Sequence, residues 1–481
     1  MLFNSYEFLI FLPLTFICYW FIFRKFSLQN IFIVFASYIF YGWWDWRFLY
    51  LILFTTILCY CTGALIGKSG KRRISQWLCG INIGVNIAIL CFFKYFNFFS
   101  ESLKLLFSQF GYELDWFTLD VLLPVGISFY TFQAISYPID VYRGNIKATR
   151  DFVAFTAFIS FFPQLVAGPI ERSTQLLPQF LKKRVFDYNR ALDGMRQILW
   201  VFFKKIVIAD NCASLANNIF ENYQYCNATT LWLGAFFFTF QIYGDFSGYS
   251  DIAIGTARLF GISLSRNFHF PYFSRDIAEF WRRWHISLNT WFRDYIYIPL
   301  GGSRCSQIKV IRNILIIFLL SGLWHGANWT FVIWGVYHGL LFLPLILLKK
   351  NRKNLEIVAH ERHFPKFSEC ISIFITFFLV VVGWIIFRSE TINDAFNYIY
   401  LCFTSFKPGI NPISGNFTSF VFTIPMIILL QIIDWSQRHK SYGLQIVEGQ
   451  PLLLRWSIYI VLCFIILIFS GIQAQFIYFQ F

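Results

Sequence analysis

Runs of predominantly apolar residues, separated by short polar intervals, occupy most of the chain. A run of about 20 such residues crosses the ~30 Å hydrocarbon core of a bilayer as a helix. Runs at Phe8–Phe23, Ile31–Trp44, Phe48–Ile66, Leu78–Phe99 and Leu122–Pro138 predict membrane helices. So do those at Phe152–Val166, Ile198–Ile208, Leu231–Phe260, Ile311–Leu323, Trp329–Leu348, Ile371–Phe387, Phe417–Ile433 and Trp456–Phe469. Several are short or carry Pro and Gly, which predicts broken or re-entrant helices whose freed backbone groups are covered by protein. The pattern predicts an all-α, polytopic integral membrane protein with about 11 to 13 membrane helices. The first run lacks a small-residue cleavage site and reads as a retained helix rather than a signal peptide.

One interval breaks this rhythm. Residues 261–310 are polar at intervals yet dense in aromatics, with "RNFHFPYFSRDIAEFWRRWHISLNTWFRDYIYIPLGGSR" as their body. At 100° per residue, Asp276 to Ile298 separates into two faces. Glu279, Arg282, His285, Asn289 and Arg293 form a polar stripe, and Phe280, Trp281, Trp284, Leu288 and Trp291 lie opposite. Two readings fit such a helix. It lies in the membrane interface, or its polar stripe lines an active-site cavity; a histidine among arginines favours the cavity.

Composition rules out a soluble fold. The chain has 481 residues, 57% hydrophobic and 14% charged, with a mean hydropathy of +0.56, whereas soluble domains carry about 25% charge. Lys and Arg outnumber Asp and Glu by 40 to 25. The basic residues fall in short loops at every second helix end, in "FRKF", "GKSGKRR", "YRGNIKATR" and "KKNRKN", while the 100–116 loop is not basic. That alternation follows the positive-inside rule with both termini outside, and it excludes nucleic acid as the partner. The 11 cysteines show no C-x-x-C pair and read as small core hydrophobes. No internal repeat is visible, which counts against an inverted-repeat transporter.

Seven histidines carry the candidate chemistry. His360, His363 and His439 lie in basic loops and read as solvated, and His269 sits in an aromatic loop. His338, thirteen residues after His325, reads as a packing residue with one hydrogen bond. His285 and His325 remain. An ionisable group within the membrane is costly and marks function by default. Each follows a tryptophan (Trp284 and Trp324), and His325 lies in "SGLWHGANW" between glycines that allow a non-helical turn. Neutral imidazole suits a general base near neutral pH. Asn328 is placed to orient a carbonyl or the imidazole. Asp245 and Asp251, in the apolar stretch "QIYGDFSGYSDIAIG", are candidates to pair with Arg282 or Arg283 or to orient a histidine. No nucleophile elbow, phosphate loop or H-E-x-x-H is present. A histidine pair without nearby carboxylate or thiolate ligands predicts no metal site. The residues thus favour histidine-dependent group transfer in a membrane and leave the group open.

"FWRRWHISLNTWFRDYIYIPLGGSR" and "SGLWHGANWTFVIWGVYHG", with "LFNSYEFLIFLPL", "LPVGISFYTFQAISYPIDVYRG", "FFPQLVAGPIER" and "QIYGDFSGYSDIAIG", resemble the membrane-bound O-acyltransferase family. The resemblance is to its bacterial branch of alginate O-acetylation proteins and peptidoglycan O-acetyltransferases, and it covers about residues 1 to 345. It implies one membrane domain over 1–481, with N-terminal helices at 1–120, a catalytic core at 121–345 and C-terminal helices at 346–481, arranged as a helical ring around a central funnel. His325 matches the family's catalytic histidine and His285 its second position. Arg282, Arg283, Asn289, Asn328, Trp324, Asp245 and Asp251 are the expected substrate-binding residues. The implied donor is acetyl-CoA, with no bound cofactor, and the acceptor is a cell-envelope or exported polysaccharide. The implied partner is a periplasmic SGNH-type acetyltransferase, and the implied location is a bacterial inner membrane. The related D-alanyl branch, which draws on a carrier-protein thioester, shares both histidines; "IPLGGSR" resembles the acetylating branch more. A transporter of acyl groups or lipids is the alternative without bond chemistry.

Overall fold

The computed structural model describes residues 1, 3–112, 122–407, 409, 417–471 and 474–477, with 417–419 by backbone alone. Part of the non-basic 100–116 loop and the last four residues therefore lie outside the described residues. Every regular element among the described residues is helical. Five helices have the length and apolarity to cross a membrane: Trp46–Ser69, Arg72–Gln109, Gln307–His325, Trp329–Leu347 and Phe367–Arg388. Four more apolar helices are shorter, at Tyr6–Ile22, Phe26–Gly42, Phe420–Ser436 and Leu452–Ile468. The protein is thus an all-α, multi-pass membrane protein.

The chain forms two compact units, Met1–Met195 with Ile252–Ser265, and Arg196–Asp251 with Arg266–Phe481. In the first unit, helix Arg72–Gln109 shows how a membrane inverts the usual pattern. It buries Ser75, Cys79, Asn82, Asn86, Leu90, Tyr95 and Ser100 and exposes Trp77, Ile81, Phe92, Phe96 and Phe99. Only 22% of its apolar window is buried in the protein, so the apolar surface faces lipid. Small and polar residues face neighbouring helices, where packing and hydrogen bonds replace the hydrophobic effect. Asn82 Nδ2 accordingly donates to Thr62 Oγ1 at 3.1 Å on helix Leu49–Ser69.

The second unit carries the two histidines singled out in the sequence. Helices Gln307–His325 and Trp329–Leu347 form a hairpin with a three-residue connection. Gly322 and Gly335 let their backbones touch: a Cβ on Gly322 would sit 2.2 Å from the Phe331 carbonyl oxygen, and one on Gly335 would sit 2.3 Å from that of Phe318. Overpacking of this kind costs about 1–3 kcal/mol or more. Gly335→Val is expected to lower the unfolding midpoint in detergent well below wild type; an unchanged midpoint would show that the hairpin yields without strain.

The interval expected as one helix from Asp276 to Ile298 is instead broken. Helix Ile277–Arg283 ends at Trp284, and Ile286–Phe292 starts afresh after His285, whose φ of 46° is left-handed. A π-helical turn, Arg293–Tyr297, follows. The break has a local cause. The main-chain oxygen of Asn267 accepts from Ile286 N at 2.9 Å, and that of Arg283 accepts from His269 N at 2.9 Å. The extended segment 267–269 thereby lies alongside the junction and takes hydrogen bonds that a continuous helix would keep. The 100° stripe is lost, because the residues beyond the kink no longer share an axis with Glu279 and Arg282.

Candidate active site

The tertiary structure brings His285 and His325 together. Their ring centroids lie 6.3 Å apart, and both residues are buried, 1% and 4% exposed. His325 is the last residue of its helix, and Gly326 continues in extended backbone. Aromatic rings enclose the pair. His325 packs edge-on against Trp334 at 5.1 Å and Phe387 at 5.4 Å, and His285 against Phe246 at 4.7 Å and Trp324 at 5.5 Å. Trp324, expected to bind substrate, thus packs against both imidazoles, 5.1 Å from His325.

His285 Nδ1 lies 3.1 Å from Asn267 Oδ1. His285 stands outside the apolar spans, and burial alone lowers its pKa to about 3, so the ring is neutral. A neutral imidazole donates from one ring nitrogen and accepts at the other, which suits it to orient a reactant.

The other predicted residues fall around this pair in distinct ways. Arg283 is buried and bound to Glu279 at 2.7 Å. Arg282 donates to the main-chain oxygens of Asn351 and Asn354, both at 2.7 Å, and so ties the loop after helix Trp329–Leu347 to helix Ile277–Arg283. Asn289 donates to the Trp281 and Trp284 carbonyls at 2.7 and 2.6 Å, clasping the kink before His285. Asn328 caps helix Trp329–Leu347 through Thr330 N at 3.0 Å and donates to Glu390 O at 2.8 Å. Asp245 and Asp251 meet lysines rather than Arg282 or Arg283. Asp245 lies 2.8 Å from Lys205; Asp251 pairs with Lys204 and accepts from Gln197 at 2.8 Å.

Sequence reasoning passed over several of these groups. Lys204 and Lys205 lie in the π-helical segment Phe203–Ala209, and two lysines in an apolar run were a readable sign of internal ion pairs. Asn267 carried no sequence signal. His338 is fully buried, 5.0 Å from both Trp281 and Trp334. Neither ring nitrogen has a hydrogen-bond partner among the described residues, against the single bond expected, because the surrounding groups are aromatic faces.

A cavity of about 850 Å³, within the size range of ligand sites, is lined by Ile286 and Asn289 just past His285 in the chain, and neither histidine is among its lining residues. Ile314, Ile317, Phe318 and Phe342 form apolar walls, and Arg293, Lys349 and Arg352 form a cationic rim. Trp281 lines it as well. That ring lies 5.6 Å from Trp334, which touches His325. The arrangement suits a ligand with an anionic head and a long neutral arm.

Comparison with known proteins identifies the family. The chain is 43% identical to the "Probable alginate O-acetylase AlgI" of Azotobacter vinelandii, over 84% of this chain and 78% of that protein. It is 31% identical to the peptidoglycan O-acetyltransferase of Helicobacter pylori, over 100% and 98% respectively. A teichoic acid D-alanyltransferase of Streptococcus thermophilus is 30% identical over 58% of this chain and 71% of its own. Residues 80–383, which include both histidines, match the membrane-bound O-acyltransferase family. The chain therefore belongs to the membrane-bound O-acyltransferase family and is an O-acyltransferase.

Proposed function

We propose that the protein moves an acetyl group from cytosolic acetyl-CoA to the outer side of a bacterial inner membrane, for O-acetylation of an envelope or exported polysaccharide. The observation that carries this reading is the buried His285–His325 pair, linked through Trp334 and Trp281 to a cavity lined by Arg293, Lys349 and Arg352. The O-acetylating relatives support the choice of acetyl group and of polysaccharide. In the reaction, a hydroxyl oxygen attacks the thioester carbonyl and His325 takes its proton. The C–O bond forms, the C–S bond breaks, and the proton passes to the leaving thiolate. His285 orients one reactant. Arg293, Lys349 and Arg352 hold donor phosphates, with Arg282 and Asn289 keeping the cavity's inner wall in place. The alternation of basic loops supports an N-terminus outside, and in this reading a periplasmic SGNH-type transferase receives the acetyl group for delivery.

Mass spectrometry of envelope glycans tests the reading. Cells with the intact gene should carry O-acetyl esters that disappear when His325 is replaced; esters that persist would favour a transport role. Replacing Arg293, Lys349 and Arg352 together by glutamine should raise the donor KM about tenfold, roughly 1.4 kcal/mol, with kcat little changed. An unaltered KM would move the donor elsewhere.

A further inference from the structure

We propose that Asn267 is a positioning residue that fixes His285 with its proton on Nδ1 and its lone pair on Nε2, so that His285 orients a reactant by accepting a hydrogen bond from it. The proposal rests on the reading of the site above and names how its second histidine works.

The argument turns on which amide atom of Asn267 faces the ring. Asn267 is fully buried. The atom nearest His285 also receives the Ser287 main-chain N–H at 3.2 Å and the Ser287 hydroxyl at 2.9 Å. A main-chain N–H only donates, so this atom is the carbonyl oxygen. The Nδ2 side is separately occupied, donating to Ser250 Oγ at 2.9 Å on the long helix Ala228–Leu259. His285 Nδ1, 3.1 Å from the same oxygen, must therefore carry the hydrogen. In a neutral imidazole the other nitrogen is then an acceptor.

The same residue holds the backbone. Asn267 O accepts from Ile286 N at 2.9 Å, directly after the left-handed His285. One side chain and one carbonyl thus set both the tautomer and the aim of the ring. The titratable group facing His285 is His325, at 6.3 Å between centroids. The result is a pair with unequal duties: His285 offers Nε2 to an O–H or N–H of a reactant, and His325 takes the proton in transfer.

Two variants and one spectrum test this in the full-length protein. Asn267→Leu should lower kcat for acetyl transfer about 10- to 100-fold, as for other partners that orient a histidine, with a smaller change in donor KM. Asn267→Asp keeps an acceptor at Nδ1 and should restore most of the activity at alkaline pH. Its carboxylate favours the imidazolium, which has no lone pair at Nε2, so the acid limb of its pH profile should move to higher pH than in wild type. A defect of folding alone would not move that limb. The 15N spectrum of histidine-labelled wild type, with the His285 signals assigned by a His285→Gln sample, should show the Nδ1–H tautomer; an Nε2–H tautomer would overturn the proposal even if Asn267→Leu fails to fold. Unchanged kcat in folded Asn267→Leu would overturn it as well. Full transfer by His285→Gln and His325→Gln would instead overturn the functional reading, whatever the tautomer.

Discussion

Alanine at position 325 is expected to lower acyl transfer by roughly 10²- to 10⁴-fold, the usual contribution of a positioned acid–base group. The loss should fall on kcat and kcat/KM together, since a proton acceptor acts in the transition state and adds little to ground-state binding. Because the imidazole packs against Trp324, Trp334 and Phe387, truncation also leaves a cavity. His325→Gln controls for this: it keeps most of the volume and a polar end but cannot accept the proton at neutral pH. Both variants should show this loss, with His325→Gln unfolding near the wild-type temperature. Undiminished transfer by a folded His325→Gln would remove His325 from the chemistry.

The largest effect on stability is expected at Lys205. Its ammonium lies 2.8 Å from both Asp210 and Asp245 and donates to Ala474 O at 3.1 Å. All three charged residues are buried, the two carboxylates at 1% and 2% exposure. Removing one member of a buried ion cluster costs about 3–5 kcal/mol, because the remaining charges keep their desolvation penalty without a partner. Lys205→Met leaves two carboxylates facing one another and should sharply reduce the folded fraction in detergent. Lys205→Met with Asp245→Asn should recover part of the loss. Purely additive effects of the two substitutions, measured in a double-mutant cycle, would show that the pair is not coupled.

The same cluster shows what the sequence makes legible. The lysines and aspartates stand out because each interrupts an apolar run, so their burial and mutual pairing could be anticipated. Their partners could not. The arginines nearest in the sequence motif, Arg282 and Arg283, are bound to loop carbonyls and to Glu279, while Asp245 and Asp251 meet lysines some forty residues upstream. Pairing depends on which helix faces bring charges within a few ångströms, and hydropathy carries no information about that.

The interval around His285 marks a second boundary. Local periodicity assigned it to a helix and was right for the residues on either side. It could not register that segment 267–269 takes the hydrogen bonds of the Arg283 carbonyl and the Ile286 N–H on either side of His285. Asn267 itself has no local mark of importance; its role exists only because Ser250, His285 and Ser287 converge on its amide.

Taken by itself, the sequence determined the membrane environment, the all-helical class and the family, and it marked His285 and His325 as candidates, because bilayer thickness and the cost of burying a charge act on the chain locally. The tertiary structure alone decided that those histidines face each other, that His285 Nδ1 meets the Asn267 side chain, and that Asp245 pairs with Lys205 and Asp251 with Lys204. These depend on donor and acceptor distances between segments distant in sequence, and only the packed chain sets them.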